Sequence, residues 1–586
     1  MKYILRYMKD HVGRICLSTT AKMTAAMGEL LIPYVLEHII DHVVPGGRLR
    51  PVLLWGLAMI AIALAVRQTN VFANRTAVSV SRDCTQKLRQ DLFVRTSRLS
   101  GSQTDAFGLP SLISRMTSDS YNVQNFITSI QTVGIRAPIM LVGGIIVTLT
   151  MDLVLASILC VMTPVLICVV IAVSLRGVPL YDQVQRKLDS MVRIMRENIT
   201  GIRVVKALSK ADYEKRRFRQ VNDQLTHSDL KASIVMAIPG PAVQLCLNMG
   251  LILVVLVGAR RVNAGAAKPG VILAFLTYFN MILNSVMSFN RIFMMLSKAT
   301  ASAQRIGEVL SAEEDQPVLP LTEERTSHSG ACLEFDHVSF THGAGAPEGA
   351  AASFAGGQRG KCLDDVSFQL GRGETLGIIG ATGAGKTTIV NLLMRFYDVD
   401  EGCVYVDGQD VRTYEKEALR KKFGVAFQND MIFAETLEKN ITLGRELSEE
   451  DVRRAARDAM ADAFIREKPE GYGHRADIKG ANLSGGQKQR LLIARALAAR
   501  PEVLILDDAT SALDYQTDAR LRRAIREGYA GVTSIIVAQR ISSVMSATKI
   551  LVLDEGRVIG CGTHEELLES CPVYLDIYQS QMGALA

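Results

Sequence analysis

Long uncharged apolar stretches alternate with charged segments over the first half of the chain. Each stretch reaches the ~20 residues that a helix needs to cross a bilayer, once a polar residue or two is allowed. The pattern therefore predicts six membrane spans, at about residues 15–44, 52–73, 130–150, 153–175, 234–259 and 270–296.

The connections between these spans differ in length and charge. The second and fourth, residues 76–129 and 176–233, are long, charged and rich in helix-forming residues, whereas the others are short. We expect both long connections to extend the membrane helices into one aqueous compartment. Their excess of Lys and Arg identifies that compartment as the cytoplasm, although four arginines near the opposite ends of the spans count against it.

The second half of the chain has a different pattern. Residues 311–330 are acidic, contain two prolines and lack apolar periodicity, which predicts a linker. Beyond the linker, short apolar strands alternate with helical stretches, as in an α/β domain. The predicted domains are a transmembrane domain at 1–310, the linker, and an α/β domain at 331–586 with a flexible Gly/Ala-rich insertion at 343–360.

Charge and cysteine content exclude several classes of function. The chain has a net charge of +7, but residues 1–310 hold 35 Lys+Arg against 17 Asp+Glu, which leaves 31 against 42 for the remainder. The basic half is also the apolar half, so we expect contact with membrane lipid and no nucleic-acid partner. The ten cysteines are scattered without zinc-ligand spacing, and we interpret them as reduced packing residues.

A glycine-rich segment in the α/β domain has the spacing of a phosphate-binding loop. The strand TLGIIG runs into GATGAGKT at 380–387, and a helical stretch follows. Such glycines let backbone N–H groups curve around phosphate oxygens at a helix N-terminus. The residues that we expect to bind ATP are Gly380, Ala381, Thr382, Gly383, Ala384, Gly385, Lys386, Thr387 and Thr388.

Two carboxylates end a second apolar strand, VLILDD at 503–508. In P-loop proteins, an aspartate at the tip of such a strand holds the magnesium ion of the nucleotide, directly or through water, together with the P-loop hydroxyl. We therefore predict Mg²⁺ ligation by Asp507 and Thr387, with Lys386 reaching the β- and γ-phosphates.

The string LSGGQ lies at 483–487, twenty residues before this second strand, and other motifs accompany it. They include GVAFQND around Gln428, SALD at 511–514, the closing ILVLDEGRVIGCGTHEELL, and ENITGIRVVKALSKADYEKRRF at 197–218. Because all of these motifs occur in one chain, it resembles the ATP-binding cassette (ABC) transporter family, and within that family the six-helix exporters.

The resemblance implies a half-transporter that needs a second ABC half-transporter for ATP-driven export. In the family, two cassettes pack head to tail, and each ATP lies between the P-loop of one and the LSGGQ of the other. The residues that would contact the partner's ATP are Leu483, Ser484, Gly485, Gly486 and Gln487. Gln428 would join the magnesium shell and serve the catalytic site.

Three positions depart from the family pattern. Asp508 stands where hydrolysing members carry Glu, Gln539 stands where they carry a switch histidine, and His342 stands where an aromatic ring stacks on adenine. These departures fall on the site built around this chain's own P-loop, whereas LSGGQ is intact. The pattern resembles the degenerate subunit of heterodimeric, multidrug-type exporters. A slow homodimeric exporter and a non-transporting nucleotide sensor remain alternatives.

The substrate side is defined only by polar residues within the spans. These candidate cavity residues are Glu29, Gln244, Asn248, Asn280, Asn284 and Arg291. Polar groups in a span usually face the bundle interior or a water-filled cavity. The alternative is hydrogen bonding that only holds the helices together. A small molecule, a lipid and a peptide all remain open as substrates.

Overall fold

The computed structural model describes residues 2–312, 316–342, 361–428 and 430–582. The chain divides into two compact units, Met1–Ser97 with Pro110–Ala312, and Arg98–Leu109 with Glu313–Ala586. The predicted Gly/Ala-rich insertion at 343–360 lies outside the described residues.

The first unit is helical. Its helices are α1 (Lys2–Lys9), α2 (Val12–His38), α3 (Leu49–Ser97), α5 (Leu109–Ser114, whose first residue belongs to the second unit), α6 (Ser120–Met151), α7 (Leu153–Thr200), α8 (Ile202–Ala207), α9 (Ala211–Ala237), α10 (Pro239–Asn263) and α11 (Pro269–Leu310). Two π-helical segments, Ile39–Val43 and Arg115–Asp119, extend α2 and join α5 to α6.

Within the described residues, six helical stretches are long and apolar enough to cross a membrane. They are Val12–Gly46, Leu49–Ser97, Leu109–Met151, Leu153–Thr200, Ala211–Asn263 and Pro269–Leu310. The six predicted spans are therefore confirmed. Helices α3 and α7 contain 49 and 48 residues. At 1.5 Å per residue each is roughly 70 Å long, more than twice the ~30 Å hydrocarbon core, so both continue beyond the bilayer as the charged segments predict.

The last span, α11, buries one of its faces against neighbouring helices. Phe275, Phe279 and Ile282 on one face of α11 are fully buried against α7 and α10. The N-terminus of α11 is capped by buried Asp41, which accepts hydrogen bonds from the backbone N–H of Gly270 at 2.6 Å and of Val271 at 3.2 Å. This cap satisfies donors that a helix start otherwise leaves unpaired.

The second unit is an α/β cassette with two sheets. Its strands are β1 (Leu333–Phe340), β2 (Leu363–Leu370), β3 (Thr375–Gly380), β4 (Glu401–Val406), β5 (Gln409–Asp410), β6 (Phe423–Ala426), β7 (Val503–Asp507), β8 (Thr533–Val537), β9 (Lys549–Asp554) and β10 (Arg557–Gly562). Its helices are α4 (Gly101–Phe107), α12 (Lys386–Leu393), α13 (Lys416–Lys421), α14 (Leu437–Thr442), α15 (Glu449–Asp458), α16 (Asp462–Arg466), α17 (Gly485–Ala498), α18 (Tyr515–Gly528), α19 (Ile541–Val544), α20 (His564–Ser570) and α21 (Pro572–Met582). The predicted α/β architecture is confirmed.

Strand order places the ends of three strands side by side. The larger sheet has the order β10-β9-β3-β8-β7-β6 and is parallel except for the pairing of β9 with β10. Strands β3, β8 and β7 are apolar along most of their length and buried between helices. Because parallel strands share one carboxyl edge, the segments that follow β3, β7 and β8 meet there.

Helix α4 packs within the cassette unit, although the sequence places it inside a long helical connection. Ser100 and Gln103 form a capping box that starts this short helix. The backbone N–H of Gly101 donates to the Phe396 carbonyl at 3.0 Å, and the Tyr397 hydroxyl donates to Asp105 at 2.7 Å. Residues 98–109 therefore interrupt the helical extension and belong to the second unit.

Candidate nucleotide site

The phosphate-binding loop connects β3 to α12, and two of its glycines have no room for a side chain. A Cβ at Gly380 would overlap the Leu553 carbonyl oxygen, and one at Gly385 would lie 2.7 Å from the Cys362 carbonyl oxygen. Gly385 also has φ +95°, a conformation that favours glycine. The GATGAGKT spacing is thus required by close backbone approach.

Lys386 crosses over this loop. Its Nζ donates to the carbonyl oxygens of Gly380 at 2.8 Å and Ala381 at 2.7 Å. Burial lowers the pKa of the ammonium group, and the nearby carboxylates of Asp508 and Asp507 oppose that shift. The cation therefore lies at the loop, among the backbone groups that the motif predicts to bind phosphate.

A cavity of about 190 Å³ brings together segments that are far apart in the sequence. Its lining comprises Cys362, Thr382, Gly383, Gly385, Lys386, Thr387, Thr388, Gln428, Asp507, Asp508, Val537, Ala538 and Gln539. Six of the nine predicted P-loop residues share this cavity with the predicted magnesium and catalytic positions, whereas Gly380, Ala381 and Ala384 do not line it. Cys362, just before β2, was not predicted here, and no sequence motif marks it.

His342 lies elsewhere. Its ring makes edge contacts with Phe340 and Tyr397, at centroid distances of 4.9 and 5.0 Å. It does not contribute to the lining of the cavity among the described residues. Its role as an adenine platform stays a prediction.

The two carboxylates after β7 have different environments. Asp507 is 2% exposed, and its Oδ2 is buried without a hydrogen-bond partner among the described residues. Burial raises the pKa of Asp507; the charge of Asp508 adds to this, while the Thr387 hydroxyl and Lys386 oppose it. A buried carboxylate oxygen without a partner is costly unless a cation or donor meets it.

Asp508 is held by two amides. Its Oδ2 accepts hydrogen bonds from Nε2 of Gln428 at 2.9 Å and from Nε2 of Gln539 at 3.2 Å. Its backbone is left-handed, with φ +50°, and its N–H donates to the Val537 carbonyl at 2.9 Å. Burial raises the pKa of Asp508, and the hydrogen bond from Gln428 is the main opposing effect.

The residues around Asp507 fit a divalent cation. Mg²⁺ prefers oxygen ligands. Oδ2 of Asp507 is unpaired and the Thr387 hydroxyl is beside it. The side-chain nitrogen of Gln428 donates a hydrogen bond to Asp508, so the side-chain oxygen of Gln428 remains for a cation.

The LSGGQ segment starts helix α17 and stands at the surface. Leu483 is buried and anchors the turn, whereas Ser484 and Gly485 are exposed. Ser484 caps the helix in a capping box with Gln487. Gly486 lies against the segment after Asp508, where a Cβ would be 3.2 Å from the Ala512 carbonyl oxygen.

Gln489 joins the LSGGQ helix to the SALD segment, a link that was not predicted from the motifs. Its Oε1 accepts a hydrogen bond from the Ala512 backbone N–H at 2.8 Å, and its Nε2 donates to the Ser511 hydroxyl at 3.0 Å. The Ser511 hydroxyl in turn donates to the Asp508 carbonyl oxygen at 3.0 Å. The helix that LSGGQ starts is therefore joined to the backbone of Asp508 by a short chain of hydrogen bonds.

The predicted cavity residues of the membrane unit divide into two groups. Glu29 bonds to side chains of two other helices, through Asn70 and Arg136. The others are exposed: Gln244 donates to Asn248 at 3.4 Å on α10, Asn280 donates to the Leu276 carbonyl of its own helix at 2.9 Å, and Asn284 and Arg291 share the exposed face of α11.

Comparison with known proteins agrees with this architecture. Residues 15–286 match the family described as ABC transporter transmembrane region, and residues 363–511 match the family described as ABC transporter. The ABC transporter ATP-binding protein YfiB of Bacillus subtilis (strain 168) is 34% identical over 584 residues, which cover 100% of this chain and 99% of that protein.

Two further comparisons cover most of the chain. The fatty acid ABC transporter ATP-binding/permease protein of Mycobacterium bovis is 32% identical over 492 residues, or 83% of this chain and 75% of that protein. The structure of a bacterial Atm1-family ABC exporter with ATP bound has the same fold, with a TM-score of 0.76 at 22% identity and 98% coverage of both chains. The chain therefore belongs to the ABC transporter family, as a multi-pass membrane protein with one transmembrane region and one ATP-binding cassette on the exporter fold.

Proposed function

We propose that this chain is one half of a heterodimeric ABC exporter, and that its own site binds ATP with Mg²⁺ but hydrolyses it slowly. The observation that carries the proposal is that Oδ2 of Asp508 accepts hydrogen bonds from both Gln428 and Gln539. ATP-driven transport follows from the family; the asymmetry of the two sites is our inference.

A general base must present an oxygen to the attacking water within hydrogen-bond reach. One Asp508 oxygen is already engaged by two amides, and aspartate reaches one methylene less far than glutamate does. Gln539 carries a neutral amide, which donates hydrogen bonds but cannot take up a proton as an imidazole does. Both features favour ATP binding over hydrolysis at this site.

The remaining residues of the cavity suit binding. Lys386 and the backbone N–H groups of the P-loop would hold the phosphates. Asp507, Thr387 and the Gln428 oxygen would hold Mg²⁺, directly or through water. When bound, the ion neutralises charge on the β- and γ-phosphates.

A second cassette is needed to complete the site. The cavity of about 190 Å³ is smaller than the roughly 300–1,000 Å³ of complete ligand pockets. Ser484 and Gly485 are exposed at the start of α17, where they are accessible to a nucleotide held by another chain. We infer that the intact LSGGQ completes the partner's hydrolytic site, in the head-to-tail arrangement of the family.

The distribution of Lys and Arg along the chain predicts its orientation in the membrane. Residues 1–310 would form the transmembrane domain, with 98–109 packed in the cassette unit, and residues 311–330 would form the linker and 331–586 the cassette. The excess of Lys and Arg in the long helical extensions supports a cytoplasmic cassette and a location in the cytoplasmic membrane. Among small molecules, lipids and peptides as substrates, a relative named as a fatty acid transporter supports the lipid class.

Purified full-length chain in nanodiscs tests the proposal. Alone, the chain should bind ATP in a Mg²⁺-dependent way and turn it over slowly, and co-expression with its partner should restore ordinary turnover. Robust ATPase activity of the chain alone would refute the degenerate site, and a lack of Mg²⁺-dependent ATP binding would refute the assignment of the cavity.

A further inference from the structure

A network of charged and amide side chains crosses three membrane helices of the first unit. Lys22 on α2 donates from Nζ to the side-chain oxygens of Asn70 at 2.5 Å and Asn74 at 2.9 Å, both on α3. Asn70 in turn donates from Nδ2 to Oε1 of Glu29 at 2.8 Å. Arg136 on α6 donates from Nε and Nη2 to the other Glu29 oxygen, at 2.9 and 2.7 Å.

The network has more positive than negative charge. The charged neighbours of Lys22 are Arg136 and Glu29, so two cations share one carboxylate. Lys22 is 5% exposed, and the Glu29 side chain is 17% exposed. An unbalanced charge within a membrane span is costly, and such residues mark substrate or ion pathways.

The unused hydrogen-bonding capacity is on the donor side. Glu29 accepts three hydrogen bonds, whereas the Lys22 ammonium uses two of three donors and the Arg136 guanidinium two of five within the described part of the chain. The Arg136 side chain is 43% exposed, so its remaining donors are accessible to a ligand. A ligand that completes this network must bring acceptors and negative charge.

An apolar cluster adjoins the network. Ala26 and Leu30 on α2 pack with Met140 on α6 and Tyr278 on α11. Met140 is one helical turn from Arg136, and Leu30 follows Glu29 directly. The tight approach of α2 to α3 at Gly28, where a Cβ would be 2.5 Å from the Val66 side chain, holds the polar groups in place.

We propose that Lys22 and Arg136 bind the anionic head group of a singly charged amphiphile, a carboxylate with an apolar tail, as the transported substrate. This inference rests on the proposed transport function and names its substrate class. The competing interpretation is a network that only ties α2, α3 and α6 together.

Binding to the full-length chain in phosphatidylcholine nanodiscs separates the two interpretations. Oleate, methyl oleate and acetate serve as probes, because they separate the charge from the tail. Native chain should prefer oleate over methyl oleate by at least about tenfold, and acetate at the same concentration should not displace oleate. Equal affinity for oleate and methyl oleate, or displacement by acetate, would overturn the proposal.

Substitutions that neutralise Lys22 and Glu29 should change oleate binding in opposite directions. Lys22→Gln should weaken oleate binding about tenfold and leave methyl oleate unchanged, whereas Glu29→Gln should strengthen oleate binding because it removes the competing carboxylate. Lys22→Arg keeps the charge and should retain the preference for oleate. Lys298→Gln is the matched control, since it removes one exposed positive charge from α11.

A purely structural network predicts a different result, with Lys22→Gln and Glu29→Gln changing oleate binding in the same direction. That outcome would refute the head-group site. Mg²⁺-dependent ATP binding is measured in every sample. If the native chain binds ATP but does not prefer oleate, only this inference is contradicted. If the native chain does not bind ATP, the proposed function is contradicted.

Discussion

Gln539 donates a hydrogen bond of 3.2 Å from its side-chain amide to Oδ2 of Asp508. The two residues follow neighbouring parallel strands, β8 and β7, so the sheet itself brings them together. The same carboxylate oxygen accepts from Gln428 at 2.9 Å. Two amides from different strands therefore donate to a single oxygen of this carboxylate.

Restoring the two family residues should therefore restore hydrolysis. We expect Asp508→Glu combined with Gln539→His to raise ATP turnover by about 10²–10⁴-fold, the usual contribution of a general base, in the homodimer of this chain, where a second copy supplies the other cassette. Phosphate release in nanodiscs measures this. Gln539→Asn, which shortens the amide without adding a base, is the control. Unchanged turnover in the double variant would place the defect elsewhere.

The LSGGQ motif should matter more than this chain's own carboxylate. In the complex with its partner, Ser484→Ala or Gly485→Asp should lower ATPase activity by at least about a hundredfold, because both alter the donors that we propose to contact the partner's ATP. Asp508→Ala should cost little, and Lys386→Ala should fall between. The opposite ranking would mean that hydrolysis occurs at this chain's own P-loop.

The buried carboxylate of Asp507 should destabilise the folded chain when no Mg²⁺ is bound. Burial raises its pKa above the ordinary 3.8, so its ionised form destabilises the folded state above that raised pKa, and stability is regained as the pH falls through it. At pH 7 without Mg²⁺, Asp507→Asn should raise the thermal midpoint of the full chain. The same variant should weaken Mg²⁺-dependent ATP binding at least about tenfold. A lower midpoint would contradict the account.

Acid should also release the nucleotide of the native chain. Mg²⁺ ligation needs the ionised Asp507, so ATP binding should weaken as the pH falls through the raised pKa, beginning above the range of an ordinary aspartate. Fluorescent ATP titrations between pH 4 and 8 measure this, with Asp507→Asn as the control that lacks the titrating carboxylate. A curve shared by both proteins would contradict the prediction.

Topology can be tested by access to the linker. Membranes carrying the chain should retain it after alkaline carbonate washing, because six apolar helices anchor it. Protease should cleave within residues 316–330 in inside-out vesicles and spare them in right-side-out vesicles. Cleavage in the right-side-out vesicles would reverse the proposed orientation.

Features encoded by local pattern were predictable from the sequence. Six apolar runs predicted six spans, since length and hydropathy alone decide whether a helix can cross a bilayer. The P-loop was predictable because a strand, a glycine turn and a helix adjoin in sequence as they do in space. The departures at Asp508 and Gln539 were visible for the same reason, as single positions inside recognisable motifs.

Contacts between distant segments were decided only by the tertiary structure. Gln428 and Gln539 meet on one Asp508 oxygen because β7, which Asp508 follows, lies between β6 and β8 in the sheet. Residues 98–109 join the cassette through Phe396 and Tyr397, and Lys22 shares Asn70 with Glu29. Strand order and helix packing set these pairings. Because an isolated amide, lysine or arginine has no pattern that names its partner, the sequence alone determined the elements and motifs, and packing determined which side chains meet.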